Sequence, residues 1–304
     1  ELQLSWSSKA SKQKSCLIYK NAQEPWPQPI TLYQPDDVLQ ILLHDNANCL
    51  AVRALLRMCG LEFQVETRNN GEFMSPTGKV PFIKCGTSVV SEFDRIHSFL
   101  ELKGISLTRN CDEKLKQDIK AYISLVNNIF GNAELYICWI DETTFQNVTK
   151  GRYGVVYPWP LNHILNWQKK REVTKRLNAL GWYSKTLEDV CGEIEMLDVK
   201  QYICIFFNGE KIIRISRVFS ETKKLRSVKP AEIDALIYGH VNALVSVNLP
   251  FPVRRIPDII RQNPIIMKHF KKVHRLIESP SLICDDDFEF VSKDTLLEDI
   301  YESM

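Results

Sequence analysis

The hydrophobic period of this 304-residue chain changes once, and that change limits the folds open to it. Up to Gly104 apolar residues alternate over short stretches separated by turn residues. From Asp112 they recur every three to four positions, and Leu115, Ile119, Tyr122, Val126, Ile129, Ala133, Tyr136 and Ile140 mark one face of a long helix. Period 2 builds sheets and period 3.6 builds helices, so the pattern divides the chain into a mixed N-terminal unit, residues 38–104, and a helical C-terminal unit, residues 112–278.

In the N-terminal unit, Leu39 to Leu43 reads as a short strand. It runs through His44 and Asp45 into Asn46, an N-cap for a helix from Ala47 to Met58 that stops at Gly60. Glu62 to Thr67 alternates as a second strand and Asn69-Asn70-Gly71 is a turn. Lys79 to Lys84 and Ser88 to Val90 are two more strands joined through Gly86-Thr87. A helix carrying Phe93, Ile96, Phe99 and Leu100 inward closes the unit at Gly104. The order is β-α-β followed by β-β-α. Residues 1–37 carry Pro25, Pro27, Pro29 and Pro35 without sustained periodicity and read as a flexible arm.

The C-terminal half gives helices at Leu161 to Leu180, Thr186 to Leu197, Ala231 to Val247 and Pro264 to Ile277, with a polar, turn-rich stretch from Asp141 to Gly154. Ile212 to Lys229 holds six Lys/Arg and one acid and breaks the pattern as an inserted loop or weak hairpin. Residues 279–304 form an acidic tail. Lys+Arg 39 against Asp+Glu 37 leaves a formal charge of +2, too little for a dominant nucleic-acid surface. The nine cysteines contain no Cys-x-x-Cys pair, which argues for reduced thiols facing the cytosol and against a zinc site or a disulfide framework. His163 has no second ligand at helical spacing, so no metal is expected. Ala235 to Val253 is free of Asp, Glu, Lys and Arg, yet its asparagines, histidine and prolines mark a core helix, so no transmembrane helix is expected.

This β-α-β-β-β-α unit followed by helices resembles the glutathione S-transferase architecture, a thioredoxin-like domain with an all-helical C-terminal domain. In that family a cis-proline precedes the third strand, and Val80-Pro81 is the matching dipeptide. The family's Glu/Gln-Ser pair, which holds the γ-glutamyl carboxylate at a helix N-terminus, is Glu92-Phe93 here, and a phenyl ring donates no hydrogen bond. The family's thiol-activating position falls at or beside Asn46, whose amide is neither acid nor nucleophile. Cys49, just inside the helix, reads as a small packed residue rather than a thiolate. The resemblance therefore implies a degenerate glutathione site around Asn46, Pro81, Glu92 and Phe93, with no cofactor and no catalytic residue.

Three stretches narrow the resemblance to the metaxins, and among them the type-2 members. They are FMSPTGKVPFI, the run RYGVVYPWPLNHILNWQKKREVTKRLNALGW from Arg152 to Trp182, and PAEIDALIYGH. The insert departs from the family's spacing, and Ala231 stands where the family has Ser, leaving Asp234 as half of a capping pair. The C-terminal hydrophobic anchor of type-1 metaxins has no counterpart here. The resemblance implies a non-catalytic subunit of the sorting and assembly machinery of the mitochondrial outer membrane. Such a subunit acts in protein import and in insertion of β-barrel precursors, and attaches peripherally on the cytosolic face. Its implied partners are a membrane-anchored type-1 metaxin and the barrel core of that machinery. Two other roles stay open: a glutathione-dependent transferase or redox protein, and an adaptor to microtubule motors. Tyr157 and Trp159, within Tyr-Pro-Trp-Pro, suit either an interaction surface or a plug between the two halves. Lys169, Lys170 and Arg171 suit either anionic lipid headgroups or a solvated helix face.

Overall fold

The first strand lies earlier than the sequence pattern places it. The computed structural model describes residues 30–109, 111–196 and 230–278. Strand β1 is Ile30–Gln34, inside the stretch read as an arm. Ile30, Leu32 and Gln34 are buried, while Thr31 and Tyr33 are half-buried, so the alternation is present but only five residues long. Pro29 and Pro35 bracket this strand without entering it, which leaves every ladder N–H in place. The expected strand at Leu39 to Leu43 is instead a turn and a helix entry. The Asp36 carboxylate accepts the N–H groups of Val38 and Leu39, which stand exposed, and Leu43 already belongs to the helix. A short apolar run has no periodicity that separates the two outcomes. Residues 1–29 of the expected arm, the insert at 212–229 and the acidic tail lie outside the described residues.

Helix α1 (Leu43–Met58) follows, then β2 (Phe63–Thr67), a short α2 (Gly71–Met74), β3 (Phe82–Cys85), β4 (Ser88–Ser91) and α3 (Phe93–Leu102). The sheet order is β2-β1-β3-β4, with β1 parallel to β2 and antiparallel to β3, and β3 antiparallel to β4. The Val80–Pro81 peptide is cis, as its matching dipeptide implied.

Helix α4 (Glu113–Trp139) starts where the Asp112 carboxylate accepts the Leu115 N–H at 3.3 Å. The stretch after it, expected as turns, is helical throughout: α5 (Glu142–Thr144), a π turn at Phe145–Thr149 and α6 (Lys150–Gly154). Phe145, Thr149 and Tyr153 recur every four residues and are buried, a signal masked by the polar residues between them. Phe145 and Tyr153 flank the Trp139 indole with ring centroids 6.0 and 5.4 Å away. Helices α7 (Leu161–Ala179) and α8 (Leu187–Met196) follow the sequence reading within a residue or two.

Helix α9 (Glu232–Ser246) is buried on almost every side, the expected fate of a helix apolar all round. No helix among the described residues is long and apolar enough to cross a membrane. Helix α9 crosses α1 so closely that a Cβ on Gly239 would lie 2.4 Å from the Ala47 carbonyl oxygen and 2.5 Å from the Ala51 amide nitrogen. Only glycine fits this crossing. Half of the family's capping pair survives, since Asp234 accepts the Ala231 N–H at 2.7 Å; its other oxygen meets His269 at 2.8 Å. Helices α10 (Arg255–Gln262) and α11 (Pro264–Glu278) complete the bundle. Helix α10 escaped the sequence reading because Pro250 and Pro252 precede it and it is only eight residues long.

Candidate functional site

The cleft between the sheet domain and the helices is built from five helices and the segment before β3. The first turn of α1 supplies Leu42, His44, Asp45 and Asn48, α2 supplies Glu72, and the approach to β3 supplies Lys79 and Val80. The start of α3 adds Glu92, Phe93 and Asp94, the middle and end of α4 add Asn127, Cys138 and Trp139, and α7 adds Lys169, Glu172, Val173 and Arg176. The cavity measures about 270 Å³.

Of the four residues expected in a degenerate glutathione site, Glu92 and Phe93 line the cavity and Pro81 does not. Glu92 caps α3 with φ 70°, a left-handed conformation rarely taken by a side chain with a Cβ. Its N–H donates to the Pro81 carbonyl at 3.2 Å, and its carboxylate pairs with Lys79. Phe93 is buried, so its ring packs in the core instead of leaving room for a carboxylate. Asn46 does not line the cavity, but its neighbour Asp45 does. Cys49 is buried outside the cavity, and burial pushes its thiol well above the ordinary value. Cys138 does line it, and burial pushes that thiol up to about 12. A thiol held protonated is a poor nucleophile.

The basic run of α7 is divided by the structure. Lys169 turns into the cleft, where its Nζ lies 3.4 Å from Glu72. Burial works against its charge, yet Glu72 and Asp45 outweigh it and hold the ammonium above the usual lysine range. Lys170 donates to Glu142 at 2.9 Å and sits over the Phe145 ring at 3.8 Å. Arg171 lies over Trp167. Tyr157 and Trp159 also part company. Tyr157 is half-buried between Phe73 of α2 and Tyr153 of α6, joining the two halves. Trp159 is 79% exposed, and Ile164 and Trp167 stand exposed beyond it on α7.

The acids in and behind the cleft were missed by sequence reasoning. Glu134, wholly buried on α4, meets His44 at 3.1 Å and His240 at 2.7 Å. Glu72 accepts from the Tyr153 hydroxyl at 3.2 Å, and burial, aided by Asp45, raises its carboxyl against the pull of Lys169. Burial likewise pushes the Asp45 carboxyl above the usual aspartate range, against the attraction of His44 and Lys169. The available signal was the alignment itself, which placed the site at or beside Asn46.

Sheet, helices and cleft together define a glutathione S-transferase-like protein. A glutathione transferase from Phanerochaete chrysosporium shares this fold, with a TM-score of 0.51 at 14% identity over 87% of this chain and 99% of that one. The sequence carries the assignment further. The chain belongs to the metaxin family: it is 44% identical to metaxin-2 of Mus musculus over 75% of its own length and 81% of that protein, and 34% identical to the metaxin-2 homolog of Caenorhabditis elegans over 75% and 92%. Against metaxin-1 of Mus musculus the identity is 23%, which places the likeness with the type-2 members. Residues 49–170 match the Tom37 family, described as an outer mitochondrial membrane transport complex protein, and this supports a role in such a complex.

Proposed function

We propose that this chain is a non-catalytic subunit of the sorting and assembly machinery of the mitochondrial outer membrane. It serves protein import and the insertion of β-barrel precursors. A membrane-anchored type-1 metaxin and the barrel core of that machinery hold it peripherally on the cytosolic face. The observation that carries this reading is family membership combined with a cleft emptied of transferase chemistry: Phe93 packs where a ligand carboxylate would need space, and both nearby thiols are held protonated. The exposed Trp159, just before α7, and Ile164 and Trp167 on it offer a docking face, since large aromatic surface left in water marks an interaction site. Lys170 and Arg171 flank that face through Phe145 and Trp167, while Lys169 belongs to the cleft.

The test is affinity purification of the tagged full chain from mitochondria. Co-fractionation with the outer membrane and co-purification of barrel-assembly subunits are the expected results. Replacing Trp159 and Trp167 together by Ala should abolish that co-purification without changing the thermal unfolding midpoint. Absence of the wild-type chain from mitochondria would sink the reading.

A further inference from the structure

The outer face of α11 carries charge of one sign. Ile266, His269, Val273, Leu276 and Ile277 turn inward and are buried, which leaves Lys268, Lys271, Lys272 and Arg275 exposed on the opposite face. At spacings of three and four residues these four are neighbours on the helix surface, and like charges so placed repel. Loss of part of its hydration lowers the Lys272 ammonium from the usual lysine range, and Lys268 pushes the same way against the pull of Asp234. Only Arg275 sits in the last turn, where the helix dipole favours a cation. No acid precedes Glu278 on this helix, and Glu278 is taken by His274 at 3.3 Å. Among the described residues Lys268, Lys271 and Arg275 form no ion pair.

The part of the chain that follows α11 has the opposite charge. Residues 279–304 hold eight Asp and Glu against one Lys, and Asp285, Asp286, Asp287 and Glu289 open the series. A fully extended stretch from 279 to 285 spans up to about 25 Å. Lys268 lies only about 15 Å back along the helix axis from Glu278, so these acids can reach the whole stripe. Tethering through so few residues presents them at an effective concentration in the millimolar range. An anionic membrane or a separate acidic protein would match the charge of the stripe equally well, but the chain's own acids are supplied to every molecule at that concentration.

We propose that the acidic segment 285–302 docks on the Lys268–Arg275 stripe of α11 and shields it from other anionic partners. Carbodiimide treatment of the full chain at low ionic strength joins a Lys ammonium directly to a carboxylate in contact with it. Links from Lys268 or Lys271 to acids between 285 and 302 are expected at the mass of one chain, and molar salt should abolish them. Two full-length variants test the shielding, with phosphatidylcholine vesicles containing phosphatidylglycerol as the anionic probe. Asp285→Asn, Asp286→Asn, Asp287→Asn and Glu289→Gln together uncover the stripe and should raise vesicle affinity about tenfold or more. Adding Lys268→Gln, Lys271→Gln and Arg275→Gln to that variant should return the affinity to the wild-type level. Links found only at the mass of two chains would assign the stripe to a second copy and overturn the proposal. Absence of links, or equal vesicle binding by wild type and the tail variant, overturns it too. Melting curves of both variants verify that they are folded. Co-purification from mitochondria is a separate measurement, so this reading and the proposed function can each fail alone.

Discussion

Two carboxylates of this fold, one buried and one half-buried, have opposite surroundings. Glu232, at the start of α9, directs one oxygen at the connection between the two domains. There it accepts from the Ser106 hydroxyl at 3.0 Å, the Leu107 N–H at 3.0 Å and both the N–H and hydroxyl of Thr108, with His97 3.4 Å away. Burial alone would raise its pKa, but these donors prevail and hold it at about 2. Asp45 is half-buried, makes no hydrogen bond among the described residues, and is shifted the other way, by desolvation first. A carboxylate oxygen that gathers several donors fastens two parts of a protein together, whereas one open to water has its needs met by solvent.

The largest effect expected from this contrast is on Glu232. Glu232→Ala should cost about 3–5 kcal/mol in urea unfolding, because the donors around it lose their acceptor. Acid should act in the same direction in the wild type. The folded value lies below the ordinary 4.5, so the stabilisation from Glu232 is complete above pH 4.5 and disappears as pH falls toward 2, roughly 3 kcal/mol in all. Denaturant midpoints measured across that window should fall in the wild type, with this component missing in Glu232→Ala.

Asp45 should behave in the opposite sense. Its folded value is raised, so its ionisation burdens the native state at neutral pH and the burden lifts as pH falls through that value. Asp45→Asn should therefore stabilise the protein by about 1 kcal/mol at pH 7 and remove that gain on mild acidification. Equal destabilisation by the Glu232 and Asp45 variants would dissolve the contrast. A smaller change sharpens the junction: Ala231→Ser restores the missing half of the cap beside Asp234 and should add about 0.5–1 kcal/mol. Smallest of all, Trp159→Ala, in neither region and 79% exposed, should leave unfolding within about 0.5 kcal/mol of wild type.

The fold was readable where a periodic run was long enough to average over its exceptions, as in α4. It was unreadable where five residues had to speak for a strand. Ile30 to Gln34 carries the right alternation, but four prolines around it outweighed two clearly apolar residues. The π turn and α6 were lost for a related reason, because Phe145, Thr149 and Tyr153 contribute one polar member to their own stripe. For the site, Glu92, Phe93 and Pro81 were visible because they are contiguous with a strand pair whose order could be aligned. The acids were not. Glu72 and Lys169, or Glu134 and His240, become neighbours only through tertiary packing, and no local spacing announces a pair about a hundred residues apart.

The contact of Gly239 with Ala47 and Ala51 also bears on how the chain acquires its shape during synthesis. Helix α1 leaves the ribosome about 190 residues before the helix that covers it, so one face of the N-terminal sheet domain waits, uncovered, for nearly the whole chain to be made. Closing so long a loop is slow, but its entropy grows only logarithmically with length. Lengthening the connection by the 18 residues of 212–229 costs on the order of 0.1 kcal/mol. Evolution can therefore change the length of the connection before α9 almost freely, while the glycine on which that connection must land allows no such latitude.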